Sequence, residues 1–435
     1  MAKRHSNRVG DLESMFLRLE ELVLANSGED EFEEVYKLLI AKLWDERSGK
    51  TRRFMPHEDE EKTYAEVHSL LREAERGWPG ILEQGVRPGL TPEHLQVCVE
   101  AFARHSISGN SFEVLDGLFE FMVSRAAKGS KGQYFTPRYV VELCVQMLDP
   151  RSCETVLDPA CGSGGFLVHS LNHVVKNEGL TGAALRDYCE SKMWGFDIDP
   201  RAVRVAKALM VLAGDGNANT LRVNSLLKPD VGGLFSRAAD DGASVLTIED
   251  VMRGRARNHK GFDVILTNPP FAGEVRERQM LDAYMVGHNK PRVERDIIFL
   301  ERCVELLRPG GRMAIVLPHN KFAADEFSEV REWVIEQCRV LAVVGLGRHT
   351  FLPHTHQKAS ILFVQKRIPR GIANRDESIF FALSERDGKN SKGQLNVRPG
   401  LHDGSSVWDK VDHDFEPIIS GFKHFCNEEK LSIGA

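Results

Sequence analysis

The sequence contains no Cys-x-x-Cys pair, and its 8 cysteines are scattered. That argues against a zinc ribbon and against a disulfide framework, and it fits thiols kept reduced in a cytoplasm. No stretch approaches the roughly 20 uninterrupted apolar residues of a membrane span. The basic start, Met1 to Gly10, is not followed by the apolar run of a secretory signal. No self-similar period of roughly 20–50 residues marks a solenoid. Positive charge is not in excess either: 57 Lys and Arg stand against 63 Asp and Glu, a formal net charge of −6. A negative average does not exclude a nucleic-acid partner, because binding needs a local basic patch. Candidate patches are Arg253, Arg255, Arg257 and Lys260; Arg276 and Arg278; Lys290, Arg292 and Arg295; and Lys366, Arg367 and Arg370. Each also reads as an ordinary solvated loop.

What is present is a globular composition over 435 residues, 42% apolar and 28% charged, long enough for two or three domains. Residues 1–127 read as an all-helical domain. Leu12, Met15, Phe16, Leu19 and Leu22 recur at helical spacing, as do Val35, Leu38, Leu39 and Leu43, and Phe112, Leu115, Leu118, Phe119 and Met122. The run KGSKGQYFTP, from Lys128, marks a boundary. Across residues 128–370 β-rich runs alternate with helical patterns, which predicts an α/β domain with a mostly parallel sheet. The expected strands are Thr155–Leu157, Met193–Ile198, Thr220–Val223, Val264–Thr267, Met313–Leu317, Val340–Leu346 and Ala359–Val364. Residues 226–260 read as an excursion from this body. Residues 371–435 read as a short polar tail.

Two local patterns carry chemistry. In VLDPACGSGGFL (Val156–Leu167) a strand ends at Asp158, and Gly162, Gly164 and Gly165 lead into an apolar helix. Such glycines let backbone turn sharply against a ligand, and the following helix N-terminus offers free N–H groups. The next strand, in MWGFDIDP, ends at Asp197, where a carboxylate can accept bonds from ribose hydroxyls. Asp199 suits the role of helix N-cap before Pro200. Asp158 and Asp197 are about twice as far apart as the roughly 20 residues of the dinucleotide fingerprint, and a helix over Ala183–Ser191 fills the gap. Asp158 would repel a pyrophosphate and attract a cationic amino acid, which favours S-adenosylmethionine over NAD.

The second pattern is FDVILTNPPF (Phe262–Phe271), a strand that ends in Asn268, Pro269, Pro270 and Phe271. The prolines fix φ and remove two N–H donors, so the turn is stiff and rich in acceptors. Asn268 Oδ1 and the Pro269 carbonyl can both take hydrogens from an amine. Gripped in this way, an exocyclic amine on a nucleobase becomes more tetrahedral and its lone pair is freed for transfer. No separate strong base is required. Phe271 would stack on a base swung out of its duplex.

Taken in order, GQYFTP (Gly132–Pro137), DPACGSGGF (Asp158–Phe166), GFDID (Gly195–Asp199) and NPPF (Asn268–Phe271) resemble the modification subunit of type I restriction–modification systems, N6-adenine DNA methyltransferases of the gamma arrangement. Gln133–Arg138 matches that family's Q-Y-F-T-P-R letter for letter. RPGGRMAIVLPHNKF (Arg308–Phe322) looks like its fifth-strand region, and FLPHTHQKASILFVQK (Phe351–Lys366) like its final hairpin. The resemblance implies a Rossmann-like class I S-adenosylmethionine-dependent methyltransferase domain behind the helical domain. It implies that Gln133, Tyr134, Phe135, Thr136, Pro137 and Arg138 close over the methionine part of the cofactor. Gly162, Ser163 and Gly164 would cradle that cofactor beside Asp158, Asp197 would hold its ribose, and Asn268–Phe271 would be catalytic, with no metal. Where many relatives carry an acidic residue after the third strand, this chain has Asn224 and Ser225, and Asn224 can still hydrogen-bond the cofactor's adenine. The implied partners are double-stranded DNA, a separate specificity subunit and a nuclease subunit, with no membrane. Rival readings are an N4-cytosine, ribosomal guanine-N2 or release-factor glutamine methyltransferase, and, in another class, a non-catalytic scaffold that binds DNA or partner subunits.

Overall fold

The computed structural model describes residues 9–24, 27–49, 52–107, 115–119, 122, 135–214, 219–229, 246–255, 260–368, 376–386, 388–398 and 410–433. Contacts divide the chain into one unit of residues 1–128 with 207–212, and a second of residues 129–206 with 213–435. In the first unit, helices run over Val9–Leu24, Glu31–Arg47, Glu60–Gly77 and Pro92–Ala103. Side chains define three of the starts. Asp30 accepts from Glu33 N, Asp59 from Glu61 N, and Thr91 from His94 N with Pro92 behind it, each satisfying an orphan donor of the first turn. The periodic residues Phe16, Leu19, Val35, Leu38, Leu39 and Leu43 are buried, and so are Leu115, Leu118, Phe119 and Met122. Phe112 lies outside the described residues.

The second unit is built on a sheet of β1 (Val156–Asp158), β2 (Met193–Asp197), β3 (Asn219–Arg222), β4 (Phe262–Thr267), β7 (Leu307–Pro318), β8 (Cys338–Gly345), β9 (Ala359–Lys366) and β10 (Phe380–Leu383), in the order β10-β8-β9-β7-β4-β1-β2-β3. A separate two-stranded ladder pairs β5 (Glu274–Val275) with β6 (Val293–Glu294). Pairing in the main sheet is parallel except for β9, which runs antiparallel to β7 and β8. Helices cover both faces, so the central strands are buried throughout and read as nearly continuous apolar runs, as in Val264–Leu266 and Met313–Leu317. The helix Gly182–Lys192 fills the interval before β2.

Each expected strand falls on an observed one, and two differences have physical causes. First, β7 starts at Leu307, well before Met313. Its Arg-Pro-Gly-Gly reads locally as a turn, and Gly310 does take φ +80, but Leu307 pairs with Phe262 across an irregularity in the β4 ladder. Second, the residues read as a polar tail add structure to the sheet. Phe380–Leu383 pairs parallel with β8, and the helix Phe415–Glu428 packs Phe422 and Phe425 on Phe380. The excursion returns through a parallel bridge from Val223 to Leu246 and a helix over Ile248–Arg255, while residues 230–245 and 256–259 lie outside the described residues.

A buried ion pair anchors the sheet below the site. Arg312 on β7 forks onto Glu154 at 2.5 and 2.8 Å and also donates to the carbonyls of Leu148 and Asp149, with both charged side chains nearly inaccessible. Removing one partner leaves an uncompensated buried charge. We expect Arg312→Met to lose about 3–5 kcal/mol of stability, read as a drop in the denaturation midpoint.

Candidate active site

The carboxyl ends of β1, β2 and β4 lie side by side, because β1 pairs with both β2 and β4. Ligands of open α/β sheets sit at such an edge. After Asp158 the chain turns through Gly162 (φ +50) and Gly164 (φ +87) into the helix Gly165–Glu178, whose N-terminus no side chain caps. A methyl group at Gly164 would stand 3.0 Å from Ala206 Cβ, so the turn is pressed against the helix Pro200–Gly214. A methyl at Gly162 would meet nothing within 4 Å, so that glycine borders open space. Ser163 is buried.

Asp197 belongs to the same turn. Its carboxylate accepts from Gly162 N at 2.9 Å and Asp199 N at 3.0 Å, and Cys161 N donates to the carbonyl of Phe196. Asp199 accepts from Arg201 N at 2.9 Å, as an N-cap does. Arg138 lies buried against the start of the following helix, where a Cβ at Gly165 would overlap its guanidinium. Thr136 and Pro137 are buried beside it, Phe135 is half-buried, and Gln133 and Tyr134 lie outside the described residues. Asn224 commits its side-chain oxygen to the local turn by accepting from Leu226 N at 3.1 Å. Ser225 donates to the carbonyl of Pro159 at 2.6 Å, joining the segment after β3 to the glycine-rich turn.

Asp158 is fully buried, and burial together with the nearby Asp197 pushes its carboxyl up to about 7, against bonds from Thr267 and Ala160 that pull it down. Burial raises Asp197 as well. The fold thus holds the Asp158 proton more tightly than the unfolded chain does. Its contribution to stability is complete below about pH 4 and is lost as pH rises through about 7. We expect the melting temperature of the unliganded protein to decline from about pH 5 to about pH 8, and to decline less in Asp158→Asn.

At the end of β4, Asn268 is half-buried with its Oδ1 fully enclosed, Pro269 is buried and Pro270 half-buried. Phe271 is 9% exposed and packs edge-to-face on Phe351, with ring centroids 5.6 Å apart at 70°. Two residues on, Gly273 (φ +102) lies against the Arg295 guanidinium and accepts from Arg295 N, next to the β5–β6 ladder.

Three neighbours escaped the sequence reading. Ile198, between the two aspartates, is 53% exposed, an apolar side chain at the lip of the turn. Thr267 is buried and bonded to Asp158, and Phe351 is buried against Phe271. The first two had a signal, an apolar residue between carboxylates and a hydroxyl closing an apolar strand. Phe351 had none, since it reaches the site from the segment before β9. Several residues of the basic clusters, in contrast, are paired with carboxylates. Arg276 and Arg292 pair with Glu274, Arg278 with Asp282, Arg253 with Asp250 and Arg367 with Glu377. Arg257 and Arg370 lie outside the described residues. All 8 cysteines are free, and only Cys153 is exposed. Among the described residues no helix is long and apolar enough to cross a membrane.

Comparison with known proteins gives this geometry a context. The family model described as N-6 DNA Methylase matches residues 110–426. The Type I restriction enzyme EcoEI methylase subunit of Escherichia coli is 29% identical over 243 residues, 55% of this chain and 44% of that protein. The chain therefore spans less than half the length of that relative. Among solved structures, the type I restriction-modification system methyltransferase subunit from Streptococcus thermophilus superposes with a TM-score of 0.58 at 15% identity, covering 98% of this chain and 99% of that one. A Listeria monocytogenes protein assigned to the class I S-adenosylmethionine-dependent methyltransferases gives 0.56 at 13%, covering 86% and 92%. The second unit thus has the Rossmann-like α/β fold of that class, with a helical region ahead of it.

Proposed function

Because this chain belongs to the N-6 DNA Methylase family, we propose that it transfers a methyl group from S-adenosylmethionine to N6 of adenine in double-stranded DNA. It works in the cytoplasm as the modification subunit of a restriction–modification or related defence system. A separate specificity subunit supplies sequence recognition, and a nuclease subunit completes the assembly. The observation that carries this reading is the adjacency of β1 and β4, which sets the glycine-rich turn beside the Asn-Pro-Pro-Phe turn on one sheet edge.

The residues fit the cofactor. Gly162 borders open space where a side chain would intrude, the buried Asp158 and the half-buried Asp197 stand where a cationic ligand would offset their desolvation, and Ile198 offers an apolar surface to a flat ring. Gly162, Ser163 and Gly164 would cradle it, Asp197 would accept from its ribose, and Asn224 would donate to its adenine. Phe135–Arg138, with Gln133 and Tyr134, would close over its methionine part. When bound, S-adenosylmethionine supplies an electrophilic methyl group on a sulfonium.

The chain's own residues do the rest. Asn268 Oδ1 and the Pro269 carbonyl accept the two hydrogens of the target amine, hold its nitrogen in place and favour the tetrahedral form that the transition state requires. The two prolines keep those acceptors rigid, so little reorganisation is needed as charge develops. Phe271, braced by Phe351, forms an apolar wall for an extruded base. The test is methyl transfer from labelled S-adenosylmethionine by the chain with its partner subunits, offered unmethylated DNA, ribosomal RNA and a release factor in parallel. We expect label in DNA alone, and label confined to RNA or protein overturns the proposal.

A further inference from the structure

β4 delivers Asn268, and the residue just before it bridges β1 and β4 through its side chain at this edge. Thr267 is fully buried at the end of β4, and its hydroxyl donates to Asp158 Oδ1 at 2.7 Å. The strands pair directly, Val156 with Val264 and Leu157 with Ile265, so the bond closes the ladder at the edge where both turns begin. The same oxygen accepts from Ala160 N at 3.1 Å, inside the glycine-rich turn. Threonine is branched at Cβ, so its χ1 is stiff and the direction of the hydroxyl is set by the strand.

We propose that Thr267 is a positioning residue: its hydroxyl locks the carboxylate heading the glycine-rich turn to the residue that precedes Asn268, so that cofactor and amine acceptor are held in register. The inference rests on the reading of Asp158 as part of the cofactor turn, and it adds a function for the residue that precedes the Asn-Pro-Pro-Phe turn.

The bond has an electrostatic consequence. A hydroxyl donated to a carboxylate favours its charged form. Thr267 therefore works against the burial that raises Asp158. The titratable groups that face Asp158 are Asp197 from β2, Cys161 within the turn, and Cys303 from the helix Arg295–Leu306, which also senses Arg302. Burial raises both thiols far enough to keep them neutral at assay pH, so Asp197, itself raised by burial, is the charged neighbour that acts on Asp158. A cationic ligand entering beside Asp158 draws off its proton, and without the Thr267 hydroxyl that proton is harder to remove.

The experiment is calorimetric titration of S-adenosylmethionine into the unliganded full chain, at about pH 6 to about pH 9, in two buffers of different ionisation enthalpy. Wild-type protein should bind more tightly as pH rises and release protons near neutrality. Thr267→Val keeps the shape and deletes the hydroxyl, so its affinity should fall about tenfold near pH 7, with the deficit shrinking toward pH 9. Thr267→Ser should recover most of the loss. Thr267→Ala carries the same prediction as valine should valine not fold. Affinity that is flat with pH in the wild type, or a deficit in Thr267→Val that is equal at every pH, overturns the proposal, because a merely structural role predicts a uniform loss. Absence of any binding by wild-type protein overturns the functional reading itself and this inference with it.

Discussion

Replacing Asn268 with alanine should abolish methyl transfer, by about a thousandfold or more, while the dissociation constant for S-adenosylmethionine changes by no more than about twofold. The asymmetry follows from where the side chain sits. Asn268 closes β4, whereas the glycine-rich turn and Asp197 belong to β1 and β2. Alanine removes an acceptor that acts on the amine and leaves the cofactor side intact. The side chain is only half-buried, so the folded state should survive, and a thermal melt within a few degrees of wild type would show that the loss is chemical. Loss of cofactor binding in this variant would mean that the Asn-Pro-Pro-Phe turn has been given the wrong role.

The second large effect separates two glycines of one turn. Gly162→Ala should weaken cofactor binding about tenfold or more with a modest loss of stability, because the added methyl projects into the open space where the proposed cofactor would lie. Its φ of +50 costs alanine about 1 kcal/mol. Gly164→Ala should instead destabilise the fold itself by about 2–3 kcal/mol, since φ is +87 and the methyl would press against Ala206. Paired melting curves and binding isotherms distinguish the two. Equal melting temperatures for both variants would contradict the packing described for Gly164.

Much of the site was legible because its chemistry is local. The glycine spacing, Asp158, Asp197 and the Asn-Pro-Pro-Phe run each announce a strand end and a turn within a dozen residues. The strand order that makes them neighbours is not local. β1 and β4 are joined by Thr267 and Asp158, 109 positions apart, and no short-range pattern records such a bond. The edge strand Phe380–Leu383 was hidden in a polar context. Four apolar residues are too few to show a period, and only pairing with β8 and cover from the helix Phe415–Glu428 makes them a strand. The basic clusters were visible as composition, and three of their carboxylate partners stand within four residues of them, whereas the pairs Arg292–Glu274 and Arg367–Glu377 span longer intervals. Glu274 draws in both Arg276 and Arg292, which tempers the local positive charge.

The central claim is that one sheet edge presents an adenine amine to a methyl donor through the carbonyl oxygens of Asn268 and Pro269. It is tested most directly by digesting to nucleosides the DNA of a host that expresses this chain with its partner subunits, and weighing the modified bases. N6-methyladenine should be present with the wild-type chain and absent with Asn268→Ala. N4-methylcytosine in its place, or N6-methyladenine that persists in the variant, would contradict the account.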